Sequence, residues 1–276
     1  MTSIASQQNP RIKELRKLRR ARDRARTGRF LAEGEDLIAA AIEAGRPAVE
    51  GFRLAGTVIG GSGFQDVEAD VLASVSTLGS GTRAIGVYEQ RFGEPVGPLC
   101  VCLHGVADPG NVGAVLRSAL AFGASSVALG PGCADPYSPK AVRASMGAIF
   151  AVELARVDDL AELPGARCAL VARAGVPIQT LDPGGPLTLL VGAEREGLPE
   201  HVVKGCEHTA HIPIVSESLN AAMAATVALY ETTRSSKHLT ERGARPKQGD
   251  RGLRPEAPVR PAGLRSAAPP SRVPPS

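Results

Sequence analysis

The sequence predicts an α/β fold in which a parallel sheet covered by helices on both faces fills the C-terminal part, behind a smaller α/β domain. Two observations lead there. From residue 99 onward, short uninterrupted apolar runs alternate with segments of helical period, the pattern of buried parallel strands joined by crossover helices. Just before that point, Gly93 to Pro98 holds two Gly and two Pro, a boundary signal. At 276 residues and 43% hydrophobic content, the chain is long enough for two modest cores.

In order along the chain, Arg11 to Arg26 carries Ile12, Leu15 and Leu18 at helical spacing among basic residues, predicting one basic amphipathic helix after Asn9-Pro10. Phe30 to Glu33 reads as a strand, and Glu35 to Ala44 as a helix stopped by Gly45 with Pro47 beyond. Gly51 to Gly63 alternates weakly and ends in a Gly-rich turn; Asp70 to Ser76 is a helix, and Arg83 to Glu89 a strand. These elements form a first domain, residues 1–92. In the second, residues 97–236, strands are expected at Leu99–Leu103, Ser126–Leu129, Ala169–Ala172 and Leu187–Gly192. Helices are expected at Val112–Phe122, Pro139–Phe150 and Ser218 to about Thr233. Residues 241–276, rich in Pro, Gly, Arg and Ala without periodicity, read as a disordered basic tail.

Composition narrows the function classes. The N-terminus lacks the apolar stretch of a signal peptide, and the longest weakly polar run, Ala221 to Tyr230, is about half of what a membrane helix needs, so a cytosolic protein is expected. Five Cys without CxxC spacing suit reduced core thiols, and His208 and His211 lack the further ligands of a metal site, so no metal is expected. Residues 1–30 hold ten Lys/Arg against two acids, and residues 232–276 ten against three, leaving 12 basic and 23 acidic residues between. Basic flanks around an acidic body point to a polyanion gripped by the ends. With aromatics at 3% and no Trp, recognition rests on charge and backbone rather than base stacking.

There is no GxxxxGK[ST] and no GxGxxG between a first strand and a helix, which argues against a P-loop or an ordinary Rossmann cofactor site. Three other segments carry chemistry. Asp108-Pro-Gly-Asn-Val-Gly-Ala-Val-Leu-Arg117 turns into a helix at Asn111, whose amide can cap it. Val112, Val115, Leu116, Ala119 and Leu120 make its buried stripe, with Arg117 at the margin, about 140° round from Val112. Leu189-Leu-Val-Gly-Ala-Glu-Arg-Glu-Gly-Leu198 runs from a strand into Gly192, where backbone can approach a ligand, and Glu194, an acceptor at the strand end. Ile212-Pro-Ile-Val-Ser-Glu-Ser-Leu-Asn220 places Ser218 and Asn220 near a helix start. Taken singly, each also reads as ordinary helix capping or a strand-to-turn passage.

In this order and spacing the three segments resemble the SpoU (TrmH-like) family of RNA ribose 2′-O-methyltransferases, of the SPOUT superfamily, whose hallmarks NxGxxxR, GxExxG and Ser-Leu-Asn after Ile-Pro stand here as Asn111–Arg117, Gly192–Gly197 and Ile212–Asn220. Pro139 to Gly147 looks like the segment between the first two. The head, Asn9-Pro10-Arg-Ile-Lys-Glu-Leu and Gly28-Arg-Phe-Leu-Ala-Glu-Gly34, looks like the ribosomal-protein-like substrate-binding domain of the ribosomal-RNA members.

The resemblance implies a SPOUT domain with a trefoil knot, a homodimer formed through it, and S-adenosyl-L-methionine as cofactor, contacted at Gly192, Ile212 and Leu219. It implies Arg117 at the ribose 2′-hydroxyl, with Asn111, Glu194, Ser218 and Asn220 orienting nucleophile, Arg and RNA. Because a guanidinium holds its protons, stabilising the developing oxyanion is an easier task for Arg117 than acting as base. Arg11, Lys13, Arg16, Arg29 and Arg143 are the candidate RNA contacts. Large-subunit ribosomal RNA is the expected substrate; a tRNA ribose methyltransferase and a catalytically silent RNA-binding or ribosome-assembly protein are the alternatives.

Overall fold

The computed structural model describes residues 3–60, 63–78, 81–216 and 218–235; the Gly-rich turn expected at residues 60–63 lies partly, and the expected basic tail wholly, outside them. The N-terminal layer is a four-stranded sheet ordered β1 (Arg29–Glu33), β4 (Ala84–Glu89), β2 (Glu50–Leu54), β3 (Phe64–Val67). Its pairs are antiparallel except β2 with β3. Side chains alternate across it with the two-residue strand period: Leu31, Ile85 and Val87 pack with α1 (Pro10–Lys17) and α4 (Ala69–Val75), while Phe30, Ala32 and Tyr88 point the other way, toward α3 (Glu35–Glu43).

The basic stretch folds as two helices, α1 and α2 (Ala21–Thr27), rather than the single one expected. The reason is Arg24. Its Nη1 donates to the carbonyls of Leu18 and Arg19, both at 3.0 Å, satisfying groups left bare where α1 ends and stabilising the turn. α1 buries Ile12 and Leu15 and turns its basic residues outward.

The second layer is an all-parallel seven-stranded sheet: β7 (Glu153–Arg156), β6 (Ser126–Leu129), β5 (Leu99–Leu103), β10 (Leu187–Val191), β8 (Ala166–Leu170), β11 (His208–His211), β9 (Val176–Pro177). β5 and β10, buried at every residue, lie at its centre. Leu99, Val101, Leu103, Leu187, Leu189 and Val191 face the core beneath α5 (Pro109–Ala121) and α9 (Ala221–Ser235). Cys100, Cys102 and Leu190 face the opposite core, with Val202 of α8 (Glu200–Lys204). Burial pushes all five thiols above their ordinary value, Cys168 to about 12, so they behave as small apolar groups.

Several expected elements shift. The helix foreseen over Pro139–Phe150 breaks into α6 (Pro139–Ala144) and α7 (Ala148–Ala151) at Met146 and Gly147, both with positive φ, because α3 approaches there and a Cβ on Gly147 would collide with Ala40. β8 runs three residues earlier than foreseen, and α9 starts at Ala221 rather than Ser218. β3, β7, β9, β11 and α8 were not foreseen. Leu120, expected inside, is 47% exposed; with Met223 and Tyr230 it leaves large apolar side chains uncovered on α5 and α9.

Candidate active site

The chain leaves β8, β10 and β11 at the same end of the sheet, the carboxyl end, where open α/β sheets take their ligands. There a cavity of about 640 Å³ is walled by Leu170, Val191, Ile212, Ile214 and Leu219, with Glu194 and Ser218 among its polar lining. It lies within the size range of small-molecule and cofactor sites. Gly192, Ile212 and Leu219, singled out as cofactor contacts, all line it.

Gly192 meets a further constraint besides its place in the cavity wall. A Cβ there would run into the backbone of Gly197 and Leu198, so the glycine permits the close return of the turn that follows β10. That turn is closed by two backbone bonds, Gly197 N–H to the Ala193 carbonyl at 2.9 Å and the reverse pair at 3.2 Å, and Gly197 takes φ +67°. Glu194, Arg195 and Glu196 project from it.

Glu194 gathers the first motif and the third. Asn111 Nδ2 donates to Glu194 Oε1 at 2.6 Å, Asn220 Nδ2 donates to the same oxygen, and Asn220 Nδ2 lies 3.1 Å from Asn111 Oδ1. Each amide has a second constraint. Asn220 Oδ1 accepts from the N–H groups of Ala222 and Met223 and so caps α9. Asn111 does not cap α5: Asp108 does, accepting from the Asn111 N–H at 3.1 Å with Pro109 at the first helical position, which frees the Asn111 amide for Glu194. Asp108 before Pro was the sequence signal for this cap.

The other oxygen of Asp108 accepts from Lys140 Nζ at 2.6 Å. That bond holds the Asp108 carboxyl below its ordinary range. Both partners are about half exposed, at 58% and 45%, so the pair adds little to stability. We expect Lys140→Met to lower methyl transfer by no more than about fivefold, the upper effect of an exposed pair worth about 0.2–1 kcal/mol, with cofactor affinity unchanged by calorimetry.

Arg117 stands apart. It is exposed on α5, lines no part of the cavity, and makes no hydrogen bond or ion pair among the described residues. Of the candidate RNA contacts, Lys13 and Arg143 are exposed and Arg29 half-buried. Arg11 donates to Gln65 at 2.8 Å and Arg16 to Ser74 at 2.6 Å, so both also brace the N-terminal layer. His208 and His211, three apart on β11, point to opposite faces and cannot share an ion. Among the described residues no group of three His, Cys, Asp or Glu could hold a metal, and no helix is long and apolar enough to cross a membrane.

A parallel α/β sheet with a cofactor-sized cavity at its carboxyl end, rimmed by a carboxylate shared between two amides, has the form of a small-molecule site of an open α/β protein. The comparisons with known proteins specify which. Residues 98–230 match the model of the SpoU rRNA methylase family, and residues 9–79 that of the MRM3-like substrate binding domain. An uncharacterized tRNA/rRNA methyltransferase of Synechocystis is 31% identical over 85% of this chain and 94% of its own length. The 23S rRNA (guanosine(2553)-2′-O)-methyltransferase RlmP of Bacillus subtilis is 26% identical over 83% and 98%. The crystal structure of an AdoMet-bound rRNA methyltransferase from Sinorhizobium meliloti superposes with a TM-score of 0.76 at 30% identity, covering 84% of this chain and 97% of that one. This chain belongs to the SpoU rRNA methylase family.

Proposed function

We propose that this protein transfers the methyl group of S-adenosylmethionine to a ribose 2′-hydroxyl of large-subunit ribosomal RNA. The observation that carries the reading is the junction of Asn111, Glu194 and Asn220, from three distant parts of the chain, at a cavity whose chemistry suits the cofactor. Apolar walls of Leu170, Ile212 and Leu219 suit a purine, and the Glu194 carboxylate suits a cationic sulfonium. Bound there, S-adenosylmethionine supplies an electrophilic methyl on a good leaving group, so positioning of the nucleophile dominates the rate.

Gly192, Ile212 and Leu219 hold the cofactor. Asn111, Glu194 and Asn220 orient the ribose hydroxyl, Ser218 lines the cavity beside them, and Arg117 stabilises the negative charge that develops on the hydroxyl oxygen as it attacks the methyl carbon and passes its proton to solvent. Residues 1–92 bind substrate through Arg11, Lys13, Arg16 and Arg29, with Arg143 of α6 adding to the RNA surface, and residues 97–236 carry catalysis. The protein works as a homodimer through α5 and α9, where Leu120, Met223 and Tyr230 are 47%, 62% and 49% exposed. Arg117 shares the face of α5 with Leu120, one turn away, so it lies at the edge of that contact and serves the partner's cavity. The cytoplasm, where ribosomal RNA and reduced thiols are found, is its compartment.

The test is methyl transfer from labelled S-adenosylmethionine to unmodified ribosomal RNA, with tRNA in parallel and the product mapped. A ribose 2′-O-methyl on large-subunit RNA is the expected product. Transfer to tRNA alone would redirect the substrate, and cofactor binding without transfer to either would refute it. Removing residues 241–276 is expected to weaken RNA affinity at low salt and to flatten its salt dependence, since phosphate contacts by Lys and Arg release counterions. Titrations at two salt concentrations check this.

A further inference from the structure

Of the ten basic residues in the first thirty, Arg24 is the buried one, at 3% exposure, and none of its nitrogens is spare for RNA. Nε and Nη2 both donate to Asp135 Oδ2, at 2.9 and 2.7 Å, while Nη1 holds the last carbonyls of α1. Asp135 belongs to the segment after β6, and its other oxygen accepts the Tyr137 N–H at 2.9 Å. That segment is laced to the one carrying Asp108, the cap of α5. Gly105 donates to the Pro131 carbonyl and Ala134 to that of Val106, both at 2.9 Å, two residues before Asp108. A run of hydrogen bonds and short backbone segments thus connects α2 to Asn111.

The two layers also share one apolar core. Phe30 of β1 lies 4.7 Å from Tyr137 between ring centroids, Tyr88 of β4 lies 4.7 Å from Phe150, and the Tyr137 hydroxyl donates to the Arg91 carbonyl at 2.5 Å. This apolar contact already holds the layers together. A buried ion pair is a poor source of further stability, since desolvation offsets its attraction; its contribution is direction. Rings can slide over one another, whereas the Arg24 guanidinium is held at all three nitrogens, on Asp135 Oδ2 and on the Leu18 and Arg19 carbonyls, and Asp135 is itself fixed by the Tyr137 N–H.

We propose that Arg24 and Asp135 are positioning residues that set the angle at which the N-terminal layer presents RNA to the cavity, and so determine which nucleotide is methylated. The proposal rests on the RNA methyltransferase reading above. Arg24 acts on specificity through geometry while its basic neighbours act through phosphate contact.

The full-length chain, Arg24→Met, Arg24→Lys and Asp135→Asn would be compared for folding, S-adenosylmethionine affinity by calorimetry, and transfer to unmodified ribosomal RNA with every modified nucleotide mapped. Arg24→Met and Asp135→Asn are expected to bind the cofactor as the native chain does. Their kcat/KM on the native target should fall by about 100-fold, the cost of a misplacement near 1 Å, with methylation spreading to other nucleotides. Arg24→Lys should recover part of the selectivity. Folded variants that methylate the native nucleotide with unchanged kcat/KM would overturn the proposal alone, as would unfolding of both Arg24→Met and the isosteric Asp135→Asn, which would make the pair merely structural. A native chain inactive on every RNA would overturn the underlying reading instead.

Discussion

Arg117→Ala is expected to bind S-adenosylmethionine with native affinity and to transfer its methyl group about 100-fold to 1,000-fold more slowly, the range lost when one donor to a developing oxyanion is removed. The separation of binding from chemistry follows from where the side chain lies. Arg117 touches neither the cavity nor any described partner, so truncation leaves the cofactor walls and the fold intact. Melting temperature and calorimetric cofactor affinity should match the native chain while kcat collapses. A loss of cofactor affinity as large as the loss of rate would remove Arg117 from the role assigned to it. Asn111→Ala is a less clean probe, because it strips a hydrogen bond from Glu194 and loosens the approach of α5 to the β10 turn.

How much of this was legible in the sequence varies with how locally each feature is determined. Leu99–Leu103 and Leu187–Val191 declared themselves because a central parallel strand is apolar on both faces. β11, His-Thr-Ala-His, and the two-residue β9 carry no such run; what makes them strands is pairing with β8 and with each other, a property of neighbours. The break after α1 depends on Arg24, whose carbonyl partners are five and six residues back but whose anchor, Asp135, is 111 residues ahead. Seen as sequence, Arg24 was one basic residue in a basic run. Period alone likewise placed Leu120 inside, since spacing marks an apolar side chain at the edge of a stripe and says nothing of whether a neighbouring element covers it.

The site was legible by resemblance and not by spacing. Asn111 lies 83 residues from Glu194 and 109 from Asn220, and no local rule brings them to one oxygen. Gly192 shows the difference sharply: the sequence suggests close approach of backbone to a ligand, while the structure adds a second demand for glycine, the return of Gly197, five residues on in a turn whose closure the sequence does not display.

Gly192→Ala is therefore expected to cost cofactor binding first. The added methyl would overlap the Gly197 carbonyl group and the Leu198 nitrogen, backbone atoms with no rotamer to escape into, so the turn carrying Glu194 must shift outward. We expect S-adenosylmethionine affinity to fall at least tenfold, about 1.4 kcal/mol, with methyl transfer lost in proportion. Gly185→Ala, where a Cβ meets open space, is the control and should be silent. Native affinity in Gly192→Ala would mean that the turn adapts freely and does not hold the wall of the cavity. Paired with Arg117→Ala, this variant also decides which chain's arginine serves which cavity. One variant keeps the cavity and lacks the guanidinium; the other keeps the guanidinium and has a damaged cavity. If Arg117 acts across the α5 and α9 faces in the proposed homodimer, mixed dimers contain one complete site, and at a cofactor concentration too low to load the Gly192→Ala cavity, mixing the two variants should raise activity to about a quarter of native per chain, since at random half the dimers are mixed and each has one of two sites. If Arg117 serves its own chain, no mixture exceeds the sum of its two components.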